Sequence, residues 1–87
     1  MNNDYTSIKN YLKSWFEKKI NDSINEEQCN KNFFVESWID SFEIIVLIED
    51  VEKYFSIELG EKQFEDRRIS YINGLAELIF EEKQRKN

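Results

Sequence analysis

Ile39-Asp40-Ser41-Phe42-Glu43-Ile44-Ile45-Val46-Leu47-Ile48-Glu49-Asp50-Val51-Glu52-Lys53-Tyr54-Phe55 is a strongly apolar segment that opens with an acid and a hydroxyl side by side. At about 100° per residue, Ile44, Leu47, Ile48, Val51 and Phe55 fall on one arc with the i, i+3, i+4, i+7, i+11 spacing of a buried helix face. Asp40 followed three residues later by Glu43 reads as a capping box, each carboxylate accepting a backbone N–H that a helix start leaves unpaired. Ser41 then lies on the first turn and points outward, where the positive end of the helix dipole stabilises negative charge on its hydroxyl. Glu43, Glu49, Asp50, Glu52 and Lys53 occupy most of the opposite side, with Phe42, Ile45 and Val46 among them. Apolar side chains rimmed by carboxylates suggest a docking surface; the alternative is that a neighbouring loop covers them.

Working outward, the 87 residues allow one domain, residues 1–87, near the size where stability is marginal. Two glycines, no proline and helical rather than alternating apolar spacing predict an all-α bundle. Residues 1–3 and 83–87 are expected to be frayed tails. No apolar run is long enough to span a bilayer, and the polar N-terminus lacks the basic and apolar regions of a signal peptide, so the expectation is a cytoplasmic, soluble monomer.

With no histidine, the chain lacks the commonest general base and metal ligand, and its one cysteine, Cys29, forms no internal disulfide. Cys29 sits in a polar stretch without a CxxC neighbour and reads as incidental. Self-contained catalysis is not expected, nor is a metal site. The net charge of −6 is unevenly spread: residues 40 to 66 hold nine acids and two bases, whereas residues 67 to 87 hold three acids and five bases. Such a field repels nucleic acid phosphates and anionic lipid heads and steers basic protein surfaces toward itself. The expected partner is a protein with a Lys/Arg patch.

Asp4 is a plausible N-cap for a first helix to about Ile20, with Tyr5, Ile8, Tyr11, Leu12, Trp15, Phe16 and Ile20 as its apolar stripe. From Asn21 to Trp38 the pattern breaks into a long polar loop, pinned to the core by Phe33-Phe34-Val35. After Phe55, Ile57 and Leu59 alternate with polar residues in an extended, half-buried segment that turns at Gly60. Glu61 to Asp66 predict a short third helix anchored by Phe64. Arg67-Arg68 offset nearby carboxylates, with phosphate binding as the weaker alternative. Ser70 caps or precedes a last helix carrying Ile72, Leu75, Ala76, Leu78, Ile79 and Phe80.

Three longer helices, a short third one, a long first loop and Asp40-Ser41-Phe42 at the start of an acidic central helix resemble the acyl carrier protein family. The resemblance covers most of the chain. Phe34-Val35-Glu36 looks like the family's approach to its Asp-Ser motif, Glu52-Lys53-Tyr54-Phe55-Ser56-Ile57-Glu58-Leu59 looks like its Glu-x-x-Phe-Gly-Ile-x-Ile stretch, and Ser70-Tyr71-Ile72 through Ile79 looks like its last helix. Ser37-Trp38-Ile39 and Ser56 stand where the family has glycine. Val46 stands where fatty-acid members carry an acid, while Glu43 and Glu52 match other acidic contact positions. The Ile-Asp-Ser-Phe form is more similar to stand-alone specialised carriers.

The resemblance implies an acyl-carrier-like four-helix bundle in which Ser41, beside Asp40, carries 4'-phosphopantetheine from coenzyme A and holds an acyl group as a thioester. It implies a carrier rather than an enzyme, serving fatty-acid, polyketide or secondary-metabolite synthesis. Its partners would be a phosphopantetheinyl transferase, an acyl- or aminoacyl-activating ligase and downstream transferases or synthases. Phe42, Glu43, Ile45, Val46, Glu49 and Glu52 would meet them. Two other readings stand beside it: an aminoacyl carrier of the D-alanyl or peptidyl type, and an unmodified helical interaction module.

Overall fold

Asp4 begins the fold by accepting the Ser7 N–H at 2.8 Å, an N-cap that opens α1 (Tyr5–Ile20). Ile8, Leu12 and Phe16, spaced one turn apart, are its buried line. Asn21 ends it in a left-handed conformation (φ 58°) and returns its N–H to the Glu17 carbonyl. The computed structural model describes residues 4 to 86.

The connection that follows is long but not loose. Asn25 and Gln28 bond reciprocally, each side-chain oxygen accepting the other's N–H at 2.8 and 2.9 Å, and fold the chain into a 3₁₀ turn at Gln28–Asn30. Ile24, Cys29, Phe33 and Ile39 are all buried, so the segment is held along its length rather than only at its aromatic end. Cys29, expected in polar surroundings, is instead core, and burial pushes its thiol pKa up. The Phe33 N–H donates to the Ser70 carbonyl at 2.9 Å, and Asn32 pairs with Tyr71 as an isolated bridge.

Next comes α2 (Glu43–Phe55), whose Leu47, Ile48, Val51 and Phe55 are buried as the periodicity requires, while Ile44 is half-buried. Ser56 closes it in a left-handed turn (φ 57°), after which Ile57 and Leu59 are buried in a segment without regular secondary structure. The short α3 (Glu61–Phe64) is not anchored by Phe64, which is 46% exposed. Four residues make little more than one turn, and Gln63 takes that role: its Oε1 accepts the Gly60 N–H at 2.8 Å and its Nε2 donates to Glu82.

A 3₁₀ turn at Arg67–Ser70 leads into α4 (Ile72–Lys86). Residues 83–86, expected to fray, continue this helix, because Lys83 reaches back to donate to the Phe55 carbonyl at 3.0 Å; Asn87 and residues 1–3 lie outside the described residues. Gly74 lets α4 touch the preceding turn, since a Cβ there would stand 2.3 Å from the Arg68 carbonyl oxygen. The four α-helices, three of them long, enclose one apolar core, and no strand is present among the described residues. The radius of gyration, 12.0 Å, matches the value of about 12 Å for a compact chain of this length.

Candidate functional site

The start of α2 satisfies itself. Asp40 Oδ1 accepts the N–H groups of Phe42 (3.0 Å) and Glu43 (2.9 Å), and Glu43 Oε1 accepts the Asp40 N–H at 2.9 Å, the expected capping box. Regular helix nevertheless begins only at Glu43, because the first turn is tight: the Ile45 N–H goes to the Phe42 carbonyl, three residues back, at 3.1 Å. Ser41 lies in that turn, one residue past the cap and two past the buried Ile39. Its side chain is exposed and makes no hydrogen bond among the described residues. The arrangement offers a free hydroxyl on a turn in which the Asp40, Phe42 and Glu43 N–H groups are already paired.

Three apolar side chains continue from it along α2. Phe42 is 80% exposed, Ile45 54% and Val46 51%, so no loop covers them. Their i, i+3, i+4 spacing puts them on one face, and Glu49 extends that face by one more turn. Removing that much apolar surface from water favours association, at about 25 cal/mol per Å² buried.

The acids divide into two kinds. Glu43, besides capping, forms an ion pair with Lys19 at the C-terminal end of α1. Glu52 Oε2 accepts the Leu59 N–H at 2.8 Å, tying the segment after Ser56 to α2. Asp50 Oδ2 accepts the Trp15 indole N–H at 2.8 Å. Glu49 is exposed and has no hydrogen bond or ion pair among the described residues. Of the acids expected to face a partner, two therefore hold the protein's own elements together.

Two exposed apolar residues escaped the sequence reading. Val35 is 75% exposed because Asn32 Oδ1 accepts the N–H groups of Phe34 and Val35 and turns the chain outward there. Tyr54 is 65% exposed, with its ring stacked on Tyr11 at 4.3 Å between centroids. The asparagine two residues before Phe34 was the available signal for the first; the second depends on a contact between helices that periodicity does not specify.

Away from α2, Arg68 bonds to Asp66, Glu77 and Glu81 at 2.8 to 3.2 Å and holds the carboxyls of Asp66 and Glu81 below their usual range. That guanidinium is committed to carboxylates, which leaves phosphate binding by the Arg67-Arg68 pair without support. Among the described residues no group of three or more His, Cys, Asp or Glu is placed to hold a metal ion, and no helix is long and apolar enough to cross a membrane. No protein-family model, curated protein or solved structure matches this chain.

Proposed function

We propose that this chain is a stand-alone carrier protein of the acyl carrier kind, with Ser41 as the point of attachment for 4'-phosphopantetheine. The observation that carries the reading is the free, exposed Ser41 hydroxyl on a self-capped helix start, flanked by the uncovered face of Phe42, Ile45 and Val46. Ser56 adds support: it takes a left-handed backbone at the position where the resembled family has glycine, the residue that adopts this conformation without strain.

The residues present fit the group. In the attachment step the Ser41 Oγ forms a bond to the phosphorus next to pantetheine in coenzyme A, the phosphoanhydride bond breaks, and adenosine 3',5'-bisphosphate leaves. The hydroxyl proton goes to a base supplied by the transferase; the chain has no histidine to take it. When bound, the arm supplies a thiol that carries a cargo as a thioester. Fatty acyl, polyketide and aminoacyl cargoes all suit this arrangement, and D-alanyl or peptidyl carriers are the nearest alternatives within the class. The chain's own part is to hold the attachment oxygen on a rigid turn and to present an apolar face to the enzymes that act there.

Incubation with a phosphopantetheinyl transferase, coenzyme A and magnesium is expected to add one phosphopantetheine unit by intact mass, and Ser41→Ala to prevent it while leaving the fold unchanged. An unaltered mass with several such transferases would overturn the carrier reading and favour an unmodified interaction module. Labelling of the alanine variant would overturn the assigned site.

A further inference from the structure

The seam between α1 and α2, at the end of α2 away from Ser41, carries a cluster of side chains that a carrier does not need. Tyr11 stacks on Tyr54 at 4.3 Å between ring centroids, and the Trp15 indole N–H donates to Asp50 Oδ2 at 2.8 Å. One turn forward on α1, from Tyr11 to Trp15, is matched by one turn back on α2, from Tyr54 to Asp50, as antiparallel neighbours require. The aromatic stack therefore stands beside the carboxylate. Burial, and after it the Asp50 charge, push the Tyr11 hydroxyl pKa up, so the carboxylate is felt at the rings. The fold leaves this cluster unfinished: Tyr54 keeps 65% of its surface in water although its ring is stacked, and Asp50 is exposed with its Oδ1 free.

We propose that this seam is a separate binding site for one arginine side chain of a partner protein, its guanidinium laid on the exposed Tyr54 ring and bonded to Asp50 Oδ1. An aromatic face attracts a cation through its quadrupole, and a guanidinium is flat enough to stack while its edge N–H groups reach a carboxylate one helical turn, about 5.4 Å, away. Charge decides the sign of the occupant: residues 40 to 66 hold nine acids against two bases, and Asp50, accepting only from the neutral indole, keeps its charge uncompensated. Shape decides its source. Tyr11, Asp50, Lys53 and Tyr54 line a hollow that is open to solvent, whereas a free small molecule is held in a concave site that buries most of it. A side chain delivered on a protein surface brings its own cover. Lys53 on the rim is exposed and is the chain's own competing cation. Tyr54 lies about 16 Å along the axis from Glu43, the rise of eleven residues, so this site and the serine are different places on the molecule.

The test titrates the nitrogen-15-labelled protein with N-acetyl-arginine amide and follows the NMR signals of the Trp15 indole N–H and the Tyr54 backbone N–H. Both are expected to move together and to saturate with a Kd of roughly 1 to 10 mM, and N-acetyl-lysine amide to bind at least about threefold more weakly, since an ammonium does not stack. Tyr54→Leu keeps an apolar side chain without a ring, and Asp50→Asn keeps an acceptor for Trp15 without a charge; each is expected to weaken binding about fivefold with Tm unchanged. Lys53→Ala is expected to tighten it about twofold. Ser41→Ala is expected to bind as the wild type does, so failure of the carrier reading would leave this result standing. Glu65→Gln removes one charge at an exposed acid outside the hollow. If it weakens binding as much as Asp50→Asn does, the cation is held by the general acidic field and the proposal is overturned. Shifts that never saturate, or that spread evenly over the surface, overturn it as well. Tighter binding of choline than of the arginine amide would overturn the assignment to an arginine side chain.

Discussion

Two helices of this protein begin next to a serine, and they begin in opposite ways. At α2 the backbone capping is local: Asp40 and Glu43 satisfy each other's N–H groups, Ser41, Phe42, Ile45 and Val46 are exposed, and the tie to another element is the ion pair of Glu43 with Lys19 of α1. At α4 the entry is shared with its surroundings: the Ser70 carbonyl accepts from Phe33, Tyr71 bridges to Asn32, and Gly74 lies against the Arg68 backbone. Asn73 of α4 donates to Asn30 in the first loop, and its carbonyl accepts the Tyr5 hydroxyl from α1. The difference teaches that a helix start can be kept open for other molecules only if its own N–H groups need nothing from the rest of the fold.

The largest expected effect lies at the closed entry. Gly74→Val forces side-chain atoms into the Arg68 backbone, so a loss of about 3 kcal/mol or more is expected in urea unfolding, enough to unfold much of a marginal domain. A normal Tm for this variant would break the comparison, since α4 would then not depend on that contact. At the open entry Asp40→Ala should cost only about 1 kcal/mol, a fall in Tm of about 4 to 8 °C, because it removes one cap and leaves the core untouched. Loss of folding in this variant would mean that the α2 start is as deeply integrated as that of α4.

The smallest effect appears as a slope against pH. Arg68 holds Asp66 and Glu81 below their ordinary values of 3.8 and 4.5. Their folded-state pKa values being lowered, they contribute stability that is complete above those ordinary values and is lost as pH falls through the folded ones. Arg68→Gln should therefore flatten the acid limb of the stability curve between about pH 5 and pH 2. A residual slope is expected from Asp4 and Glu26, which the Ser7 N–H and Lys9 hold low in the same direction. An unchanged acid limb would remove Arg68 from the account of how the closed entry is held.

Much of the open entry was legible in the sequence because its interactions are local. A capping box spans three residues, and the arc from Leu47 to Phe55 follows from helical period alone, so both can be read without knowing the fold. The closed entry was not. Nothing in the spacing says that Asn32 meets Tyr71, that Gly74 is small because Arg68 lies against it, or that Lys83 caps a different helix from its own. For the same reason composition gives the charge of Glu43 and Glu52, but only the fold shows that Lys19 pairs with the first and the Leu59 N–H donates to the second. Phe64 misled in the other direction, since large apolar residues in very short helices have no period to say which way they face.

Ile39, 4% exposed, is embedded in the core two residues before Ser41, and on the far side Leu47 is fully buried six residues after it. The serine thus lies near one end of a short span of chain fastened at both ends, and the turn around it is stiffened by its own hydrogen bonds. In mechanical terms it is a pivot rather than a hinge. A flexible group linked to that oxygen would sweep a volume whose centre stays fixed relative to α2 beside it. On the carrier reading proposed above, the far end of the group would have a repeatable reach, and the search left to it would be that of the group's own bonds, not of the protein.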